Sequence, residues 1–225
     1  MELILDASSA TVVTALAQEG TIVWTGQWLS QNDHTKRLMP EVLRGLAATG
    51  SAPSDIEAVV VALGPGPFNG LRVAVAAAKG IAVGAGAAVC GIDTLEAEAA
   101  RCPPTVSTVR PVLRAGKSAY VTTRYDRDGS AWSKHEDERI VDATMLAGLA
   151  SEGVPLCGEI DDALAACLQE KTAGMAQVIT PHASRTETLA LLGHERLLTG
   201  ATPLATLQPL YARPPHITHP RERRL

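Results

Sequence analysis

The first hundred residues alternate short apolar runs with amphipathic stretches. Leu3-Ile4-Leu5 is an apolar run ending on Asp6, and 11–17 and 21–27 are β-rich segments joined at Glu19-Gly20, so three strands open the chain. Leu38, Met39, Val42, Leu43 and Leu46 then recur at helical spacing, with Lys36, Arg37, Glu41 and Arg44 on the other positions. This predicts a helix with Asp33 as N-cap, Pro40 pushing its regular part toward Leu38, and an end at Gly50. Ser54 and Glu57 have capping-box spacing for a single turn. Residues 58–63 are almost continuously apolar, as in a central strand covered on both faces. A helix over 71–83, a strand over 88–92 and a helix capped by Asp93 and Glu96, ending near Arg101, complete this half.

Cys102-Pro103-Pro104 is the best boundary in the chain, because paired prolines stop helices and stiffen a crossing. Beyond it the same order returns. Strands are expected at 108–113, 119–125 and 132–141, the last two joined at Asp128-Gly129. A helix from Asp142, a strand at 154–157, a helix over 161–171 and a strand at 176–179 follow, then a helix opening after Thr180-Pro181 and closing at Gly200. Each half therefore reads three strands, helix, strand, helix, with no residue-level repeat between them. That order predicts an α/β fold of two tandem lobes, 1–103 and 104–225, each a mixed β-sheet with flanking helices. It is the plan of the actin, heat-shock chaperone and sugar-kinase superfamily, whose lobes are actin-like, or RNase H-like (ASKHA).

Composition narrows the function. With 225 residues, 46% hydrophobic, and a net charge of −4, the chain is long enough for two folded lobes and is not a disordered segment. Aromatics at 3% argue against a stacking platform for single-stranded bases, and the acidic balance argues against holding nucleic acid alone. Cys90, Cys102, Cys157 and Cys167 show no close pairing of the kind zinc needs and read as free thiols of a reducing compartment. No signal stretch precedes the first strand, and Arg72 and Lys79 interrupt the weakly polar run 71–89, so the expectation is a cytoplasmic protein with no membrane span.

Candidate chemistry is sparse. Gly116-Lys117-Ser118 lacks the glycine a phosphate-binding loop needs, Pro111 standing in its place, and it lies between strands. His34 has no second histidine four residues on, His216 and His219 sit in a proline-rich tail, and Asp161-Asp162 opens a helix, where negative charge is favoured, so no metal site is expected. Asp6, Ser8 and Ser9 stand where an actin-like ATPase begins its phosphate loop, but the second half supplies no matching acid-and-glycine loop. The tail from Tyr211 carries Arg213, Arg221, Arg223 and Arg224 against Glu222, a basic patch that suits tRNA phosphates, an acidic surface, or a frayed end.

The sharpest feature is Gly64-Pro65-Gly66-Pro67-Phe68-Asn69-Gly70-Leu71-Arg72, between a buried strand and a small-residue helix. Its glycines permit turning and close approach while its prolines freeze the rest, which suits either a rigid corner or a loop aiming N–H groups at an anion. The stretch resembles the G-P-G-S-F-T-G-L-R signature of the TsaB (YeaZ) family, with Pro67 and Asn69 in place of the hydroxyl residues. Leu5-Asp6-Ala7-Ser8-Ser9, His34 with Leu38 and Pro40, Lys79-Gly80, Thr94-Leu95-Glu96-Ala97 and Pro209-Leu210-Tyr211-Ala212-Arg213 match in order. Where the family often carries D-A-R, this chain has Arg114-Ala115-Gly116, without the acid.

The resemblance implies a non-catalytic scaffold or activator for N6-threonylcarbamoyladenosine modification of tRNAs reading codons that begin with A. It implies TsaD as heterodimer partner, bearing the metal and the transfer chemistry, and TsaE as the ATPase, so no cofactor of its own. tRNA is met only through the complex. The paired surface it implies lies on 34–48 and 70–84, and a homodimer through the same helices is an alternative. The two stripes assigned to that surface are His34, Leu38, Val42 and Leu46, and Leu71, Val75, Ala78 and Lys79. Asp6, Ser8, Ser9, Gly64 and Gly66 are the residues of a vestigial nucleotide loop. The competing reading is an actin-like ATP-binding enzyme or a peptidase-like hydrolase.

Overall fold

The structure, a computed structural model, describes residues 1–129 and 131–212. In the first half, β1 (Glu2–Asp6), β2 (Thr11–Gln18) and β3 (Thr21–Leu29) form an antiparallel meander, turning at Glu19 and Gly20 with positive φ at both. α1 (His34–Ala48), a 3-10 turn at Pro53–Asp55, β4 (Ala58–Gly64), α2 (Phe68–Ala85), β5 (Ala88–Asp93) and α3 (Thr94–Ala100) follow. The sheet order is β3-β2-β1-β4-β5, with β4 parallel to β1 and β5 parallel to β4.

The second half runs β6 (Thr108–Arg114), β7 (Tyr120–Thr122), β8 (Tyr125–Asp128), β9 (Ala131–Lys134), β10 (Arg139–Val141), α4 (Ala143–Ala150), β11 (Leu156–Gly158), α5 (Asp162–Lys171) and α6 (Arg185–Thr199). The expected strands at 119–125 and 132–141 are present, each interrupted. β7 and β8 pair with β6 in a single register, and β10 and β9 line their outer side. Val112 pairs with Thr122 on one side and Gly158 on the other, so β11 lies beside β6 opposite β7. Both sheets thus share one strand order, except that the strand expected at 176–179 is reduced to a bridge between Leu156 and Val178. Pro181, which lacks a backbone donor, follows too closely for the pairing to extend.

Local starts and stops differ from expectation where side chains found better partners. α1 begins at His34 and carries Pro40 inside it. The Asp33 carboxylate accepts from Trp28 Nε1 at 3.2 Å and Ser30 Oγ at 3.1 Å, not from a helix N–H. The turn near residue 54 is closed by Asp55, which accepts from the Ala52 N–H at 2.8 Å, while Glu57 binds the N-terminal amine at 2.6 Å. α6 starts at Arg185 rather than after Pro181, because Ser184 and Glu187 form a reciprocal capping box.

Alternation along the first sheet gives it two buried faces. Leu3, Leu5, Val59 and Val61 pack against Leu38, Val42, Leu46, Ala74, Val75 and Ala78 of α1 and α2. Ile4, Val60, Ala62 and Ile92 face the other way, against Ala97 of α3 and Leu189 and Ala190 of α6. A Cβ on Gly193 would stand 2.3 Å from Val60 Cγ2, so glycine is what lets α6 approach this closely. Leu207 joins the same lobe's core, and the Leu210 N–H bonds the Leu63 carbonyl at 2.8 Å. The division at 103 therefore holds for one side only. The chain returns, and 185–212 belong with the first lobe instead of the 104–225 unit. The apolar stripe of α6 matches the open face of the first sheet. The second sheet is covered by α4 and α5 on one face and by Leu95 and Ala99 of α3 on the other. α3 is shared between lobes. Among the described residues no helix is long and apolar enough to cross a membrane.

Candidate functional site

α1 and α2 lie side by side on one face of the first sheet, and their inner and outer sides differ in kind. The residues expected to meet a partner, Leu38, Val42, Leu46, Leu71, Val75 and Ala78, are all buried in the chain's own core, as is His34. The correction has a simple cause. The strongest apolar stripe of each helix is the one its own sheet takes first, so the periodicity marked the inner side. Lys79 alone of that set keeps partial exposure. The outer side carries Met39, Leu43 at 51% and Val83 at 70% exposure, with exposed Ala76, Gly80 and Gly84 between them. α2 bears Arg72 and Lys79 and no acidic residue, and Glu41 of α1 is buried and bound to Arg44 at 2.5 Å.

The loop residues assigned to a phosphate site do come together, but tightly. A Cβ on Gly66 would stand 2.4 Å from the Ser8 carbonyl oxygen, so Gly66 and Ser8 pack backbone to backbone. Gly64 has φ +110° and lies against the Leu210 carbonyl, while its N–H bonds Thr94 Oγ1 at 3.1 Å. Of the two readings of this loop, the rigid corner accounts for these contacts. Asp6, buried at the end of β1, accepts from the Ser8 N–H at 2.9 Å and Ser8 Oγ at 2.5 Å. Its other oxygen is held by Arg185 Nε at 2.9 Å. Arg185 also binds Glu98 at 2.9 Å and approaches Glu159 at 3.5 Å, and Arg101 takes the second Glu98 oxygen at 2.5 Å. Burial alone would lower the Arg185 pKa; the surrounding carboxylates outweigh it and push it further up, so the cation is permanent. Sequence reasoning missed Arg185 because 179 positions separate it from Asp6. The one local signal was the unread capping box that fixes the start of α6.

Beside this cluster, a cleft of about 610 Å³ opens between the lobes, lined by Ser8, Ser9, Thr11, Pro67, Gly116 and Glu159 among others. Arg114 pairs with Asp161 at its edge. Gly116-Lys117-Ser118 lies in the connection between β6 and β7, as a turn and not a phosphate loop. Among the described residues no group of three or more His, Cys, Asp or Glu side chains is placed to hold a metal ion. Cys90, Cys102 and Cys157 are buried free thiols and Cys167 is half-buried. Tyr211 stacks on Phe68 with ring centroids 4.8 Å apart, whereas Arg213, His216, His219, Arg221, Glu222, Arg223 and Arg224 lie outside the described residues.

Residues 28–202 match the family described as "TsaD: tRNA N6-adenosine threonylcarbamoyltransferase". The tRNA threonylcarbamoyladenosine biosynthesis protein TsaB of Bacillus subtilis is 27% identical over 205 residues, covering 86% of this chain and 87% of its own. The chain belongs to this family, in its TsaB (YeaZ) branch. YeaZ from Pseudomonas aeruginosa has the same fold, with a TM-score of 0.69 and 20% identity over 93% of this chain and 98% of its own. The ROK hexokinase of Thermus thermophilus shares the two-lobed plan at a TM-score of 0.51 and 10% identity, over 88% of this chain and 99% of its own. In this chain the carboxylate at the end of β1, Asp6, is occupied by the internal guanidinium of Arg185.

Proposed function

We propose that this chain serves tRNA threonylcarbamoyladenosine biosynthesis in the cytoplasm as a non-catalytic subunit, docking a TsaD-type transferase through the outer side of α1 and α2. The observation that carries the reading is the outer side itself. Exposed Met39, Leu43 and Val83 flank small residues at 76, 80 and 84 that let another backbone come close, and among the described residues no element covers them. Stable interfaces bury roughly 1,200–2,000 Å², which two helices of this length supply. The transfer chemistry, its metal and its ATP belong to the transferase and to a TsaE-type ATPase, and tRNA is met through the assembled complex. A second copy of this chain competes for the same side.

Size-exclusion co-elution with the transferase of the same organism tests this. Leu43→Arg and Val83→Arg abolish co-elution without lowering the melting temperature; equal co-elution of wild type and both variants removes this side as the interface. Depletion of the chain lowers the modified nucleoside in digested tRNA. The competing reading, an ATP-binding or peptidase-like enzyme, is opposed by the Asp6–Arg185 pair, which leaves no free carboxylate there for a metal–phosphate group. Calorimetric binding of ATP with magnesium to the isolated chain at micromolar affinity would reinstate it.

A further inference from the structure

At the end of the outer side where α2 begins, a cleft of about 510 Å³ is lined by His34, Thr35, Asn69, Arg72, Val73 and Ala76. His34 is 7% exposed; Ser30 Oγ holds its Nδ1 at 3.2 Å, and among the described residues its Nε2 has no hydrogen-bond partner. A buried polar atom left so is costly unless something arrives to bind it. The ring lies against the first turn of α2, for a Cβ on Gly70 would stand 3.0 Å from Nε2. That turn has no side-chain cap, so the N–H groups of Phe68, Asn69 and Gly70 have no partner within the helix and present its positive end. Arg72 completes the set, its guanidinium carbon 5.2 Å from the Phe68 ring centroid. Among the described residues no acidic side chain lines the cleft. Charge, donors and the orphaned nitrogen all ask for an anionic oxygen.

The geometry points to a carboxylate side chain of the docked partner as the group that fills this cleft. The inference rests on the docking proposed above and adds the chemistry of one contact. Val73 and Ala76, which line the mouth, belong to the apolar strip of α2, so a protein covering the strip closes over the cleft and shields the ion pair from water. A guanidinium matches a planar carboxylate with two parallel hydrogen bonds. With the Ser30 hydroxyl turned from Asp33 to Nδ1, which then accepts from it, the imidazole carries its proton on Nε2 and donates from there.

Titration calorimetry with the cognate transferase decides the matter, using wild type, Arg72→Met, Arg72→Lys, His34→Phe and Leu43→Arg. Arg72→Met weakens binding about tenfold, as loss of a charged hydrogen bond does, and Arg72→Lys recovers part of it. One Asp→Asn or Glu→Gln change on the transferase causes the same loss against wild type and none against Arg72→Met. If Leu43→Arg abolishes binding while Arg72→Met and His34→Phe bind like wild type, docking stands and the carboxylate contact is wrong. Arg72→Met binding weakly with no acidic position on the partner coupled to it also overturns the contact. A complex indifferent to Leu43→Arg, or none at all, removes both. His34→Phe alters a buried position, so its melting temperature is measured alongside; if it unfolds, Arg72→Met and the partner's amide variants carry the test.

Discussion

The interlobe cluster and the outer side of α1 and α2 are both charged places, and they satisfy charge in opposite ways. In the cluster, Asp6, Glu98 and Glu159 already surround Arg185, with Arg101 on Glu98. On the outer side, α2 carries two cations and no acid, and an imidazole nitrogen lies buried with no partner. A region whose charges are closed internally has nothing left for a ligand. One whose charges stay open is waiting for a counterpart. The difference separates a site that has become structure from one that remains available to another molecule.

The comparison breaks first at α2. Val75→Arg buries an unpaired charge against Val59 and Val61 and costs roughly 4 kcal/mol or more, whereas Leu43→Arg on the outer side changes stability by less than about 0.5 kcal/mol. Thermal melts of the two variants read the contrast directly; equal losses erase the distinction between inner and outer sides. Arg185→Met is next. It strands the buried Asp6 carboxylate, leaves Glu98 with Arg101 alone, and lowers stability by about 3–5 kcal/mol, part of which Asp6→Asn restores in the double variant. An unchanged melting point means the cluster is not held by its arginine. Gly193→Val drives a side chain into Val60 and costs about 1–3 kcal/mol, seen as faster amide exchange in β4 of the first sheet and not in β6.

The smallest effect is at the start of α6. The Ser184 hydroxyl and N–H bonds hold the Glu187 carboxyl below its ordinary value. Because the folded value is depressed, the capping contribution is complete above the unfolded carboxylate range and fades as pH falls through the depressed one. Ser184→Ala loses about 1 kcal/mol near neutrality and less in acid, so wild type and variant converge in melts taken at falling pH. A gap that stays constant with pH means that the Ser184 hydroxyl acts on the helix N–H alone and not on the Glu187 carboxylate.

The order of elements was legible because each depends on local pattern. The apolar runs at 3–5 and 58–63 are buried strands, the helical spacing from Leu38 to Leu46 is α1, and the paired prolines at 103–104 mark the crossing. Three things were not legible, for one shared reason. The apolar stripes of α1 and α2 read as partner surfaces because periodicity says that a stripe is buried without saying against what. Chain order puts α6 in the second lobe, for it cannot show that Leu189 and Ala190 return to cover Ile4 and Val60. Arg185 was passed over because its partners lie in β1 and α3, far away in sequence. Local chemistry was readable, long-range pairing was not, and His34 shows both. Its place on α1 was expected, and its unfilled nitrogen emerged once Gly70 stood beside it.

The return of α6 has a consequence for how the protein is made. When a ribosome has delivered residues 1–101, one face of the first sheet has only α3, through Ala97, to cover it, and Ile4 and Val60 still lack the helix that seals them. Their cover is completed only after synthesis has passed residue 199, by a helix fitted through Gly193. The lobe translated first is therefore finished last, and a fragment ending at the proline pair would emerge as a sticky half-structure for chaperones rather than as a separable domain.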